Sequence, residues 1–210
     1  VNPPVVSSNP IQKTASILVA SNQWFNVFPG AMYNPQTMTT HAFWCQSTQH
    51  AALHSSLAHA VSRDNGNTWS APNIIWAATN NLSYATLFPL RFPDGRLFGL
   101  VGTATASSWG ISASISPDDC VTWSYPVPFT NPYPASVGPW GGTAPLLLKS
   151  GKLIVPAYCV FDYGVSDTPQ WAGAFESTDY GLTWAWRLWT TNNISEVAVV
   201  ETFDGRMIGL

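Results

Sequence analysis

One octapeptide occurs three times along the chain, and this repeat constrains the fold more than any other feature of the sequence. Its copies are Ser62–Trp69, Ser116–Trp123 and Ser177–Trp184, each with Ser first, Asp third, Thr seventh and Trp eighth. The copies begin 54 residues apart (62 to 116) and then 61 residues apart (116 to 177). Four shared positions in three copies indicate a structural unit that recurs along the chain.

The octapeptide has the chemistry of a hairpin turn. An Asp side chain accepts hydrogen bonds from backbone N–H groups within a turn, and a Gly at the fifth position supplies a positive φ. Thr and Trp then begin the next strand, with the indole as a buried anchor. We therefore predict structural roles for Asp64, Asp118 and Asp179. Cys120 replaces the Gly in the second copy, and we expect strain in that turn.

A second, shorter repeat accompanies the first. Asp94-Gly95, Ser150-Gly151 and Asp204-Gly205 each lie between apolar runs, and such dipeptides are a strong signal for a hairpin. Residues 34–38 fill the same place in the first unit. Each unit then contains a strand, a tight turn, a strand, a long loop, a strand, the octapeptide and a strand. Four antiparallel strands at a repeat of roughly 40–60 residues are typical of propeller blades.

The composition favours an all-β extracellular protein and excludes several classes of partner. Charged residues make up 9% of the chain and aromatic residues 13%, with 11 Trp and a net charge of −3. Because Lys and Arg form no cluster in the sequence, we expect no nucleic-acid partner. No segment approaches the ~20 apolar residues of a membrane-spanning helix. The three Cys match no zinc motif, and we predict neither a metal site nor a cofactor. We expect the protein to be secreted or extracellular.

The octapeptide is the Asp-box, and with it the chain resembles the sialidase superfamily. Further likeness lies in residues 138–148, in residues 154–158 and in the segment from Glu196 to Gly205. The resemblance begins near Phe25 and implies a six-bladed β-propeller, of which this chain is about half. Residues 1–210 are then one partial propeller domain, with blades at about 20–75, 82–128 and 140–190 and the start of a fourth at about 195–210. We expect a C-terminal half missing from this sequence, or a dimer, to close the ring.

Hairpin geometry separates two faces of such a propeller. The tight turns and octapeptides fall on one face, and the long loops fall on the other, where they gather aromatic, His and acidic side chains. Indole rings stack on the C–H faces of sugars, and polar groups bind their hydroxyls. We predict that the substrate-binding residues are Trp109, Trp140, Trp171, Arg187 and His54. The alternative for Trp140 and Trp171 is that they fill gaps between blades.

The catalytic pattern implied by the resemblance is incomplete. Sialidases bind the substrate carboxylate with three arginines, protonate the leaving oxygen with an Asp and attack with a Tyr backed by a Glu. Val27 lies where the first arginine is expected, and no Asp precedes Asp64. Glu196 matches the family's Glu before the second arginine. We predict that Glu196 is catalytic; the alternative is an ion pair with Arg187.

The missing acid has two candidate replacements, His50 and Asp162. A His with a pKa near 6.5 can act as acid or base, but His50 can equally be a loop residue that contacts solvent or glycan. The first functional hypothesis is a glycoside hydrolase, or a related lyase, that is not a standard sialidase. The second is a non-catalytic module for glycan binding or adhesion, and the third is a structural role in a larger assembly. A glycan or polysaccharide is the expected partner in the first two.

Overall fold

The computed structural model describes residues 25–48, 54–133, 138–141, 143–161, 169–194 and 196–209, and this part of the chain is all-β. It contains 15 strands, all of them paired antiparallel, which confirms the predicted all-β class. No helix that could cross a membrane occurs in these segments.

Three sheets follow one another along the chain, each in the order of the sequence. The first sheet consists of β1 (Phe25–Asn34), β2 (Thr39–Ser47), β3 (Ser56–Ser62) and β4 (Asn73–Trp76). The second sheet consists of β5 (Ser83–Arg91), β6 (Leu97–Ala104), β7 (Trp109–Ser116) and β8 (Val127–Pro128). The third sheet consists of β9 (Gly138–Trp140), β10 (Leu146–Leu147), β11 (Leu153–Val160), β12 (Gln170–Ser177) and β13 (Ala185–Thr190), and both β9 and β10 pair with β11. A terminal hairpin follows, formed by β14 (Val199–Glu201) and β15 (Met207–Gly209).

The sheets pack face to face through alternate residues of their strands. On β6, Leu97 and Val101 pack in the core shared with the first sheet, whereas Phe98 and Leu100 pack in the core shared with the third. Successive side chains of a strand point to opposite faces, and a strand buried on both faces therefore reads as a continuous apolar run. The first and second sheets approach closely at Gly30, where a Cβ would lie 2.1 Å from the Leu87 carbonyl oxygen.

The three octapeptides form the same turn. In each copy the Asp Oδ1 accepts the backbone N–H of the Thr, at 2.8 Å for Asp64, 2.8 Å for Asp118 and 2.9 Å for Asp179. The Thr hydroxyl donates to the other carboxylate oxygen and is the main reason that the pKa values of Asp64 and Asp179 fall to about 2. Cys120 takes a left-handed φ of 68°, a conformation that Gly66 and Gly181 adopt in the other copies. These hydrogen bonds engage both carboxylate oxygens of each Asp within its own turn.

The order of the strands gives the fold two ends. The "turn end" carries the octapeptides together with residues 35–38, 92–96, 148–152 and 202–206. The "loop end" carries the connections from β2 to β3, β6 to β7 and β11 to β12, and the connections between sheets. The arrangement is consistent with a fragment of a sialidase-like β-propeller.

Candidate functional site

Trp109 and Trp140 meet at the loop end, one from the second sheet and one from the third. Their ring centroids are 5.4 Å apart, with 54° between the ring planes. Gly138 allows this approach, because its φ is 126° and a Cβ there would lie 1.8 Å from the Trp109 carbonyl oxygen. The Trp140 ring also lies over Gly102, where a Cβ would be 3.3 Å from its Cη2 atom. Both indoles are half-buried, so Trp140 packs between sheets without being closed off from the surface.

Tyr158 and Trp140 pack in one cluster with Val197, the residue after Glu196. Tyr158 lies opposite Trp140 in the pairing of β9 with β11 and is 8% exposed. Burial raises the pKa of the Tyr158 phenol to about 12, and the negative charge of Glu196 adds to the shift. The Glu196 side chain is exposed, and its backbone has a left-handed φ of 56°. The loop end therefore carries an exposed carboxylate that adjoins in sequence a cluster containing a buried phenol and an indole.

Glu196 precedes β14 and has a left-handed backbone, which lies outside the extended conformation of a strand. The alternative role suggested for it, an ion pair with Arg187, is wrong. Arg187 Nε donates instead to Glu176 Oε1 at 2.9 Å. Lys152 Nζ binds the other oxygen of Glu176 at 2.8 Å. Among the described residues, no cation forms an ion pair with Glu196.

Arg187 itself lies within β13 and not in a long loop. β13 continues to Thr190 and pairs with β12. The contact with Glu176 joins the two strands. The role of Arg187 in substrate binding stays a prediction.

Trp171 belongs to a different aromatic group. Its ring centroid is 4.6 Å from that of Phe161 and 5.0 Å from that of Tyr133. Trp171 lies opposite Cys159 in the pairing of β11 with β12. Trp140 and Trp171 thus lie opposite successive residues of β11, Tyr158 and Cys159. No ring contact links Trp171 to Trp140 in the described part of the chain.

The remaining predicted residues are placed as follows. His54 is exposed, with a φ of 69°, and its backbone N–H donates to Ser83 Oγ at 2.7 Å. His50 and Asp162 lie outside the described residues. Val27 is in β1 opposite Cys45, beside a bulge in the pairing of β1 with β2. The cysteines Cys45, Cys120 and Cys159 are buried and are not joined by disulfide bonds.

A polar cluster lies at the turn end, and it is formed by residues for which the sequence predicted no role. Arg91 donates to Asp119 Oδ1, and Asn34 Nδ2 donates to Asp119 Oδ2 at 2.8 Å. His41 Nε2 is 3.9 Å from the same Oδ2 atom, and His41 Nδ1 is 3.0 Å from His59 Nε2. Burial lowers the pKa of both His, that of His59 to about 4. The described residues contain no cluster of three or more His, Cys, Asp or Glu that could hold a metal ion.

Comparison with known proteins yields matches of structure only. No family model matches the chain, and no curated protein matches it in sequence. A protein of unknown function from Dyadobacter fermentans aligns with 92% of this chain at 15% identity and a TM-score of 0.75. The intramolecular trans-sialidase of Ruminococcus gnavus aligns with 87% at 13% identity and a TM-score of 0.69. Trypanosoma rangeli sialidase aligns with 88% at 16% identity and a TM-score of 0.66.

The likeness is one of fold. The chain covers 63% of the Dyadobacter protein, 65% of the Ruminococcus enzyme and 34% of the Trypanosoma enzyme, less than two thirds of each. At these identities the comparison supports a sialidase-like fold, as the resemblance in sequence implied. The six-bladed closed ring stays a prediction.

Proposed function

We propose that this chain is part of a secreted, sialidase-like glycoside hydrolase that is not a standard sialidase. The observation that carries the proposal is the exposed Glu196 carboxylate at the loop end, next in sequence to Val197, which packs in one cluster with Tyr158 and Trp140. The Trp109 and Trp140 rings lie at the same end of the fold. Half-buried indoles can stack on the C–H face of a sugar ring, and a carboxylate can bind a hydroxyl or move a proton.

The role proposed for Glu196 is that of a general acid or base. Exposure gives substrate access to the carboxylate, and the absence of an ion pair in the described residues leaves it available for a proton or a sugar hydroxyl. Tyr158 is buried and keeps its proton, since its pKa is about 12. Its phenol can therefore donate a hydrogen bond towards Glu196 or a bound ligand.

The departures from the sialidase pattern limit the substrate. Carboxylate recognition in sialidases depends on arginine, whose planar guanidinium binds both oxygens. Val27 occupies the corresponding position in this sequence, and the first Asp of the chain is Asp64. The Asp64 carboxylate is bound within its turn. We therefore propose a glycan substrate other than a simple sialoside.

The test is Glu196→Gln, which keeps the shape of the side chain and removes its charge. We expect turnover of a glycan substrate to fall by at least ~10²-fold, the usual contribution of a positioned acid or base, with the melting temperature unchanged. Glu201→Gln is the matched control, because Glu201 accepts the Lys149 backbone N–H at 2.9 Å and has a structural contact. Equal turnover in the wild type and Glu196→Gln contradicts the catalytic role.

The second candidate is a glycan-binding module without catalysis, and the observation that favours it is Val27 in place of the arginine. A glycan array probed with the wild type and with Glu196→Gln distinguishes the two functions. Binding that survives the substitution, together with no hydrolysis of any bound glycan, supports the binding module.

A further inference from the structure

A cavity of about 240 Å³ opens at the loop end beside Trp109. Its walls come from the end of β6, the beginning of β7, β8 with the residues that follow it, Leu82 before β5 and Pro139 of β9. The cavity thus belongs mainly to the second sheet, and Pro139 is its contact with the third. It is smaller than the roughly 300–1,000 Å³ of sites for drug-sized ligands, so its volume suits one sugar ring and not an oligosaccharide.

The lining of this cavity carries no charged side chain among the described residues. Trp109 and Phe129 provide aromatic walls, and Thr103, Ser108 and Asn131 provide polar groups. Moving an ionised carboxylate out of water without a partner costs several kcal/mol or more. An acidic sugar placed here would meet that cost, whereas an uncharged sugar would not.

The hydroxyl groups of the lining favour ligands that donate hydrogen bonds. Thr103 Oγ1 donates to the Gly110 carbonyl oxygen at 3.2 Å, and a hydroxyl has one donor but two acceptor sites. Because Thr103 uses its one donor within the sheet, its hydroxyl can only accept a hydrogen bond from a ligand. Sugar hydroxyls can donate to it, whereas an ionised carboxylate only accepts.

The rim of the cavity is held in place by its own hydrogen bonds. Thr105 Oγ1 accepts the backbone N–H of Ser108 at 3.0 Å, and the two hydroxyl oxygens are 2.8 Å apart. The Thr105 backbone N–H donates to the Ser108 carbonyl oxygen at 2.8 Å. A rim fixed in this way loses little conformational entropy when a ligand binds.

We propose that this cavity is a binding site for a single uncharged sugar residue, with the ring stacked on Trp109 and its hydroxyls bound by Thr103 and Asn131. The inference rests on the proposed function and adds to it the class of sugar. It assigns to the cavity a preference for neutral hexoses or N-acetylhexosamines over uronic and sialic acids.

The experiment is a titration of the full chain with a matched pair of probes, methyl glucoside and methyl glucuronide, which differ only at C6. Methyl galactoside, methyl N-acetylglucosaminide and sialic acid complete the panel. Binding is followed through the indole N–H resonance of Trp109 in ¹H–¹⁵N spectra. We expect a saturable shift with at least one uncharged glycoside, and at least tenfold weaker binding of the acidic sugars.

Two variants test the location of the site. Thr103→Val keeps the shape and removes the hydroxyl, and we expect it to weaken binding of the neutral sugar about tenfold. Ser108→Lys places a cation at the exposed rim, and we expect it to shift the preference towards methyl glucuronide by at least tenfold. Thr37→Val, at the turn end, is the matched control and leaves binding unchanged.

Three results overturn the inference. Binding of the acidic sugar as tight as that of its neutral partner contradicts the preference. Neutral-sugar binding that neither variant alters contradicts the location, while the proposed function stands. If no sugar of either kind binds to a folded protein, on the array or in the titration, the proposed function fails together with the inference.

Discussion

Acid should destabilise this protein through the His41–His59 pair at the turn end. The His59 side chain is 7% exposed, and burial lowers its pKa from 6.5 to about 4, with a further contribution from His41. The pKa of His41 is also lowered, by burial and by the positive charges of Arg91 and Arg63, although the negative charge of Asp119 opposes the shift. The unfolded chain therefore binds protons at these sites at a higher pH than the folded chain does.

The sign and size of the effect follow from this difference. A His with a lowered folded-state pKa contributes its full stability above the unfolded value of 6.5, and loses it as the pH falls from 6.5 towards 4. At 1.36 kcal/mol for each pKa unit, His59 alone accounts for about 3 kcal/mol over that range. The structural carboxylates Asp64 and Asp179 titrate near 2 in the folded state. The stability that these two carboxylates contribute is lost only below pH 3.8, their pKa in the unfolded chain. That loss lies outside the range from pH 6.5 to pH 4.

The assay is urea unfolding at pH 7.5 and at pH 4, followed by tryptophan fluorescence. We expect the free energy of unfolding of the wild type to fall by about 3 kcal/mol or more between the two conditions. His59→Gln removes the titrating group, and its stability should depend on pH less steeply by about that amount. An equal loss of stability in the wild type and in His59→Gln would refute the reasoning, because the destabilisation would then arise elsewhere.

Four further predictions concern the turns, the site and the edge of the fold. Asp179→Ala should lower the melting temperature by about a few degrees, because a turn network is lost, and should leave glycan binding of the folded fraction unchanged in a titration. Gly138→Ala should cost at least about 2 kcal/mol in urea unfolding and separate Trp109 from β9; wild-type stability would contradict that packing. Fluorogenic sialosides should not be cleaved at a rate typical of enzymes, since Val27 replaces the arginine; rapid turnover would mean that the first sheet is misaligned with the family. In light scattering, the 210-residue chain should associate, because β15 pairs only with β14 among the described residues and Phe203 is 98% exposed, and unpaired strand edges favour association; a stable monomer would contradict this.

Local chemistry explains why the turns could be predicted from the sequence. An octapeptide turn depends on one Asp, one Thr and a residue that tolerates positive φ, all within eight positions. The Thr68 and Thr183 contacts to their Asp partners each span four residues. Such contacts depend little on the rest of the fold, so the sequence predicted both the turns and the all-β class.

The candidate site was predicted only in part. Trp109 and Trp140 do meet, but Trp171 packs with Tyr133 and Phe161, and Arg187 binds Glu176. Loop position alone could not separate these cases, because the face of a side chain depends on the register of its strand. Arg187 lies within a strand because β13 extends to Thr190. The roles of His50 and Asp162 stay predictions.

The sequence by itself determined the positions of the turns, the order of the strands and the absence of charge from most of the chain. Only the tertiary structure decided which residues from different sheets meet. Asp119 binds Asn34 of β1, which is 85 residues away along the chain, and the neutral cavity forms where the second sheet meets β9. These contacts arise from the packing of one sheet on the next, because side chains distant in sequence become neighbours only when two buried faces fit together.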